Sequence, residues 1–385
     1  MLSLSLLIAL SPQAPSPLSE LKFEMVGNRI YLPAKLNGRS TSAIFDTGAG
    51  GTAVDLGLAD SLKIPGDQPL QASGVGTATV TGRVLKDSFL EIGGQKHPVL
   101  YAIPFGSLNA AEGRNLEVIL GFDYIRQHKF QIDYATKTFK VFPATANLSD
   151  LGTPIPIEFK NGHPHLKAKI TLGDKTHDID AMLDTGASGG GLTGRFTKTN
   201  PVPDSVKTTP STTIGGGVGG FVTGRFLRLE NLDLGGIQIA GSVASVNESR
   251  GGANGDNSAY DYLLGAEVLK RFTLTLDYPN KRIYLKPNSE HGKPFESDKT
   301  GLRLSASGTN LREYTIIGIL PGSTSEDAGL KTGDIFVSVD GVPVGTNTLQ
   351  YWRDLFRYGT AKSWELVVDR KGEKVKVTVL AKPVI

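Results

Sequence analysis

The chain has 385 residues, more than one hydrophobic core ordinarily supports, so two or three domains are expected. Its 41 basic and 38 acidic side chains leave a formal charge of +3 with no dense Lys/Arg block, which gives no reason to expect a nucleic-acid partner. The absence of cysteine excludes disulfides, thiolate zinc sites and a cysteine nucleophile, while the 47 glycines follow no collagen period and mark the turns of a mainly β protein.

The chain opens on a short apolar run, residues 2–10, followed by the Pro/Ser-rich stretch 11–19. Nine residues cannot span a bilayer but match the apolar region of a signal peptide. Residues 1–19 are therefore expected to be a signal peptide or a disordered tail, and the protein to be exported, to the periplasm or outside the cell. Residues 30–36 then alternate apolar and polar, Asn37-Gly38 reads as a hairpin turn, and residues 42–45 return into Asp46-Thr47-Gly48. Val80-Thr81-Gly82-Arg83, Gly93-Gly94, Ile119-Leu120-Gly121 and Ile132-Asp133-Tyr134 follow in order.

The same series then occurs again. Residues 166–172 alternate, Gly173-Asp174 turns, and residues 179–183 lead into Asp184-Thr185-Gly186. Val222-Thr223-Gly224-Arg225, Gly235-Gly236, Leu263-Leu264-Gly265 and Leu276-Asp277-Tyr278 complete the copy. Small loop insertions in two copies of one domain account for the near-constant offset. The expected domains are residues 20–147 and 148–288, a polar linker at 289–300, and a third unit at 301–385.

One Asp-Thr-Gly is an ordinary turn sequence. Two at equivalent repeat positions, each after an apolar strand (Ala43-Ile44-Phe45 and Ala181-Met182-Leu183), point to chemistry. Two carboxyls in contact cannot both ionise, so one acts as acid and the other as base on a water, which suffices to hydrolyse an amide without a metal. Gly48 and Gly186 allow a close backbone approach, and the hydroxyls of Thr47 and Thr185 can bond across to the partner loop. Two competing motifs are set aside. Gly186-Ala187-Ser188-Gly189-Gly190 fits Gly-x-Ser-x-Gly but lacks the α/β setting and triad that a serine hydrolase requires. His163-x-His165 has no third ligand nearby and reads as a pair of surface histidines, so neither a metal nor another cofactor is expected.

On these residues the two halves resemble retropepsin-like aspartic proteases fused into a single-chain pseudo-dimer, which implies duplicated acid-protease β-barrel halves and a monomeric catalytic unit. The resemblance makes Asp46 and Asp184 the catalytic pair, with Thr47, Gly48, Thr185 and Gly186 supporting the loops. It places Gly74, Val75 and Gly76, and Gly216, Gly217 and Val218, in flaps that close over substrate. It also puts Ile119-Leu120-Gly121 and Leu263-Leu264-Gly265 behind the active site. Pepsin-like enzymes usually carry Ser or Thr where Ala49 and Ala187 stand, and a Tyr in one flap. Their absence makes the halves retroviral in type, with a cleavage optimum expected to be less acidic than that of the pepsin type.

In the third unit, residues 315–320 form a strand, Pro321-Gly322 turns, Gly329 ends a short helix, and Asp340-Gly341 ends a second strand. This resembles a protease-associated PDZ domain, a small α+β fold. The resemblance puts Gly301, Leu302, Arg303 and Leu304 at the carboxylate-binding loop and its strand, and residues 349–358 at the groove helix, with Leu349, Trp352 and Phe356 read mainly as core. The expected function is an aspartic endopeptidase acting on protein or peptide substrates, with a PDZ domain that takes a C-terminal peptide of a substrate or partner. The alternative is a peptide-binding scaffold of the same fold without activity.

Overall fold

A computed structural model describes residues 15–385, so the apolar run 2–10 lies outside the described residues. No helix among the described residues is long and apolar enough to cross a membrane. Strands dominate, because short alternating segments are separated by turns that only a few residue types accept. Arg29–Leu36 buries Ile30, Leu32, Ala34 and Leu36 and exposes Pro33 and Lys35. Asn37 (φ 46°) and Gly38 (φ 86°) then reverse the chain through the two left-handed positions of a tight hairpin turn. Arg39–Phe45 returns alongside and delivers Asp46.

Each half is one ten-stranded sheet. In the first, the spatial order is Pro69–Ala72, Val80–Val84, Tyr101–Ile103, Ala53–Asp55, Val118–Leu120, Arg39–Phe45, Arg29–Leu36, Phe89–Ile92, Gln95–Pro98, with Glu24–Val26 also paired to Arg29–Leu36. The second sheet repeats this element for element, from Thr212–Gly217 to Ile237–Ala240. In both, the strand that ends before the Asp loop runs parallel to the strand carrying the apolar-apolar-Gly triplet. The strand paths end rather than close on themselves, so each half is an open sheet.

A six-stranded sheet joins the halves, in the order Ser19–Lys22, Thr138–Pro143, His128–Asp133, Phe272–Asp277, Arg282–Pro287, Thr153–Pro156. Its two central strands pair across the duplication, Phe130 opposite Leu276. One apolar core therefore runs through both halves, including Phe45, Phe130 and Phe139 from the first and Leu183, Leu264 and Leu276 from the second. The third unit has its own core, built on Trp352, Phe356 and Trp364 beneath the sheet Leu302–Ser307, Glu313–Ile319, Ile335–Val339, Ser363–Arg370, Glu373–Leu380. Leu349, Trp352 and Phe356 of the helix Leu349–Tyr358 all point into it.

Residues 289–300, polar in sequence, do not hang free. Arg271 donates to the carbonyls of Glu290 and Pro294 and stacks over the Phe295 ring, and Phe295 enters the core of the paired halves. The third unit is thus seated by a bonded connection.

The three rings Phe45, Phe130 and Phe139 lie 4.9–5.5 Å apart, centroid to centroid, and are fully buried. Phe130→Ala is expected to cost about 3–5 kcal/mol in urea unfolding; a loss under about 1 kcal/mol would mean that the central sheet does not unify the core.

Candidate active site

Asp46 and Asp184 emerge from the ends of equivalent strands, where the strands of the two halves converge. Each loop is held from behind. Asp46 N–H donates to Leu120 O (3.0 Å), Phe122 N–H to Ala49 O (2.9 Å), and Ala266 N–H to Ala187 O (2.8 Å). A Cβ on Gly121 would sit 2.4 Å from Gly51 O, and one on Gly265 1.8 Å from Gly189 O, so the glycine of each apolar-apolar-Gly triplet is required by close packing.

The loops lock to each other through exchanged hydrogen bonds. Thr47 N–H donates to Thr185 Oγ1 (3.1 Å) and Thr185 N–H to Thr47 Oγ1 (3.0 Å). Thr47 Oγ1 in turn donates to Leu183 O (2.8 Å) and Thr185 Oγ1 to Phe45 O (2.7 Å). Both threonines are buried, so each hydroxyl satisfies one donor and one acceptor that water cannot reach.

Glycine follows each threonine because the opposite carboxyl occupies the space of a side chain. A Cβ on Gly48 would meet Asp184 Cγ at 2.5 Å, and one on Gly186 would meet Asp46 Cγ at 2.3 Å. The two carboxyls are in hydrogen-bonding contact with each other. Burial, and then the Asp184 charge and its hydrogen bond, push Asp46 well above the usual carboxylate range. Burial also raises Asp184, but its Oδ1 accepts from Gly186 N–H (2.8 Å) and Ala187 N–H (2.9 Å), which favour its ionised form. Asp46 Oδ1 receives Gly48 N–H (2.8 Å), while Ala49 N–H goes to the Asp46 main-chain oxygen instead. Alanine in place of a hydroxyl residue thus removes a side-chain donor in both loops, and a main-chain donor stands in for it only at Asp184.

The two glycine hairpins meet each other. Gly76 N–H donates to Val218 O (2.9 Å) and Ala78 N–H to Gly219 O (3.1 Å), with Gly74 O accepting from Ala253 N–H (2.9 Å). On the second hairpin, Gly217 O accepts from Ser107 Oγ (2.8 Å), and Gly216 would clash with the Phe221 ring if it carried a side chain. Val218 reaches over onto the first half, packing on a cluster that contains Tyr31, Ile44, Ala53 and Ile119. Met182, Tyr260 and Leu263 form a smaller apolar cluster on the other side. The sheet repeat thus gives two apolar walls flanking one carboxyl pair.

Four features carry no motif. Arg29, partly buried, donates from Nε to Gly186 O and pairs through Nη1 with Glu112 Oε2 (2.6 Å). Its repeat equivalent is His163, a different residue type, so comparison of the halves cannot find it. His165 is buried, not on the surface as its sequence context suggests: it faces Met182 across the strand pair, and its Nδ1 lies 2.9 Å from Asp180 Oδ1. In the third unit, Gly301 and Leu302 are buried and their amides already bonded, Gly301 N–H to Asp298 Oδ1 and Leu302 N–H to Thr300 Oγ1. Arg353 Nη2 donates to Leu304 O, and Arg303 Nε donates to Thr213 O on the second hairpin.

The family model described as aspartyl protease matches residues 32–124 and 168–268, together just over half of the chain, and the PDZ domain model matches residues 315–370. The chain is similar to proteins named DNA damage-inducible protein 1 from two strains of Cryptococcus neoformans var. neoformans serotype D, at 27% identity over 124 residues. That match covers 31% of this chain and 27% of the length of those relatives.

Thr185→Val keeps the shape of the side chain but leaves the buried Thr47 N–H without an acceptor, and should lower stability by about 1–3 kcal/mol in chemical denaturation; no loss would mean that the loop exchange contributes nothing. A second expectation concerns pH. Because the folded-state pKa of Asp46 lies above its unfolded value of about 3.9, its stabilising contribution is whole below that value and is lost as pH rises towards the folded pKa. The wild type should therefore lose stability relative to Asp46→Asn as pH rises from about 4; a constant difference across pH would contradict a buried, proton-sharing pair.

Proposed function

Because the chain belongs to the aspartyl protease family, we propose that it is an endopeptidase whose Asp46 and Asp184 activate one water against a peptide carbonyl. The observation that carries this reading is a closely opposed pair of carboxyls, Asp184 buried and Asp46 partly buried, with unequal donor sets. Asp184, with two main-chain donors, is the base, and Asp46, the more strongly raised, is the acid. Asp184 takes a proton from water as the water oxygen bonds to the carbonyl carbon, and Asp46 passes its proton to the carbonyl oxygen. The neutral gem-diol then collapses: the leaving nitrogen takes the proton from Asp184, the C–N bond breaks, and a gem-diol hydroxyl returns a proton to Asp46. The two apolar walls favour substrates with apolar side chains flanking the scissile bond. Entry of an extended peptide requires the hydrogen bonds between the hairpin tips to open.

For the PDZ unit we propose peptide binding in competition with internal contacts. Asp298 takes the place that a terminal carboxylate would occupy on the Thr300 and Gly301 amides, and Arg353 holds a carbonyl of the strand that an added peptide would pair with.

Incubation with a mixed peptide library tests the main reading. The wild type should cleave, Asp46→Asn and Asp184→Asn should each lower kcat/KM by about 10²–10⁴-fold, and the rate should fall on the alkaline side as Asp46 loses its proton. Peptides bound but never cut by the wild type would favour the inactive scaffold. Cleavage that survives both substitutions would remove the pair from the mechanism.

A further inference from the structure

The helix Gly106–Glu112 breaks the symmetry of the duplication. It lies between the strands Tyr101–Ile103 and Val118–Leu120 of the first half, whereas the equivalent connection of the second half, residues 248–261, contains no helix. The helix closes on Gly113, left-handed at φ 65°, and its last side chain, Glu112, turns inward with 6% exposure. There it meets Arg29, and Arg29 meets the main chain of the opposite half at Gly186. The peptide unit of that Gly186 carbonyl carries the Ala187 N–H, which donates to Asp184 Oδ1 (2.9 Å), and the Gly186 N–H donates to the same oxygen (2.8 Å). A continuous path of charge-assisted and main-chain hydrogen bonds thus runs from a helix of the first half to the carboxylate of the second. On the mirror side His163 makes no ion pair among the described residues, so the path exists once per molecule.

The charges around this path account for its sign. The Arg29 guanidinium is faced by Glu112 from the helix, by Tyr31 on its own strand, and by Asp184 and Asp46 from the two loops. Burial opposes its charge, but these neighbours outweigh burial and favour the charged form. From the third unit, Arg353 faces both Glu112 and Arg29, and Arg114 and Glu24 act on Tyr31 from the first half. An arginine buried without Glu112 would be an uncompensated charge free to turn away from Gly186.

Resting on the endopeptidase reading, we propose that Glu112 is a positioning residue for the reaction: its carboxylate fixes the Arg29 fork on the Gly186 carbonyl and so holds the Asp184 loop, and one positive charge, against one side of the carboxyl pair. Glu112 touches neither substrate nor the reacting atoms and acts only through Arg29. The helix that carries it is fixed at two further places. Ser107 clips the second hairpin at Gly217, and the helix packs against the PDZ strand Leu302–Ser307, with Gly113 abutting Leu349 at the start of Leu349–Tyr358. The position of Glu112 therefore depends on the seated hairpin and the seated PDZ unit. A groove occupant that lifted that strand from the helix would reach the carboxyl pair through Glu112.

The test uses the full chain and two independent readouts: steady-state cleavage across pH, and the titration of the Asp46 and Asp184 carboxyls by ¹³C NMR, which needs no turnover. Glu112→Gln should lower kcat by about ten- to a hundredfold while KM stays within about twofold, because the loop is misplaced but the apolar walls are intact. It should also move the carboxyl titrations to lower pH, since a negative neighbour is lost and Arg29 remains. Arg29→Gln should move them to higher pH, and Glu112→Asp should recover part of kcat. If Glu112→Gln does not fold, Arg29→Lys carries the same test: it keeps the charge but cannot bond Glu112 and Gly186 together, so kcat should fall while the titrations stay near those of the wild type. Shifted titrations in a protein that cleaves no peptide would support the positioning role and remove the endopeptidase reading. Cleavage by the wild type, with Glu112→Gln leaving both kcat and the titrations unchanged, would overturn the proposal, whatever its effect on melting temperature.

Discussion

The rest of the structure depends on the exchange of hydrogen bonds between Thr47 and Thr185. Two carboxyls are brought together away from water, which burial and mutual repulsion both oppose. That is tolerable only if their main chains cannot drift apart and if one proton is shared. Each threonine hydroxyl takes an amide of the opposite loop and gives to a carbonyl of the opposite strand, so neither loop can move alone. Gly48 and Gly186 let each loop come close enough for the opposite carboxyl to fill the place of a side chain. The six-stranded sheet and the shared core behind it hold the two halves at the separation this contact needs.

The duplication supplies symmetry that the rest of the molecule then breaks. The main-chain donors are unequal, two to Asp184 and one to Asp46, although both loops read Asp-Thr-Gly-Ala. One hairpin is clipped by Ser107 and by Arg303 of the PDZ unit, while the other is held by the loop at Ala253. One side of the pair has a buried Arg29–Glu112 ion pair and the other does not. A one-sided environment suits a reaction in which one carboxyl must begin protonated and the other charged. The PDZ unit belongs to this asymmetry, because its first strand touches both the Gly106–Glu112 helix and, through Arg303, the second hairpin.

The parts legible in the sequence are those written twice or written locally. Alternation in residues 30–36, the Asn37-Gly38 turn and the recurrence of Asp-Thr-Gly each depend on spacing along a single chain segment, and the structure has strands, turn and loops at those places. Most of what stayed hidden depends on residues far apart in sequence and present once. Arg29 answers to His163 in the repeat, so its role leaves no duplicated trace. His165 reads from His163-x-His165 as one of a surface pair, yet it is buried together with its neighbours Pro164 and Leu166, its ring edge-on to Tyr260, because pairing with the strand Lys175–Asp184 sets its face. Residues 289–300 are polar enough to read as a tether, but Phe295, caught under Arg271, and the hydrogen bonds of Arg271 to their carbonyls seat them. In the PDZ unit, Asp298 lies three residues before the glycine whose amide it occupies, and no pattern distinguishes it from an ordinary surface acid.

The central claim is that one polypeptide builds one complete site from its two halves. The specific rate of peptide cleavage, followed by dilution from micromolar to low nanomolar protein with sedimentation at each concentration, tests it most directly. The structure predicts a specific rate that does not change with dilution in a monomeric protein, because both aspartates arrive on the same chain. A specific rate that falls in proportion to protein concentration, with activity confined to a dimer, would contradict it.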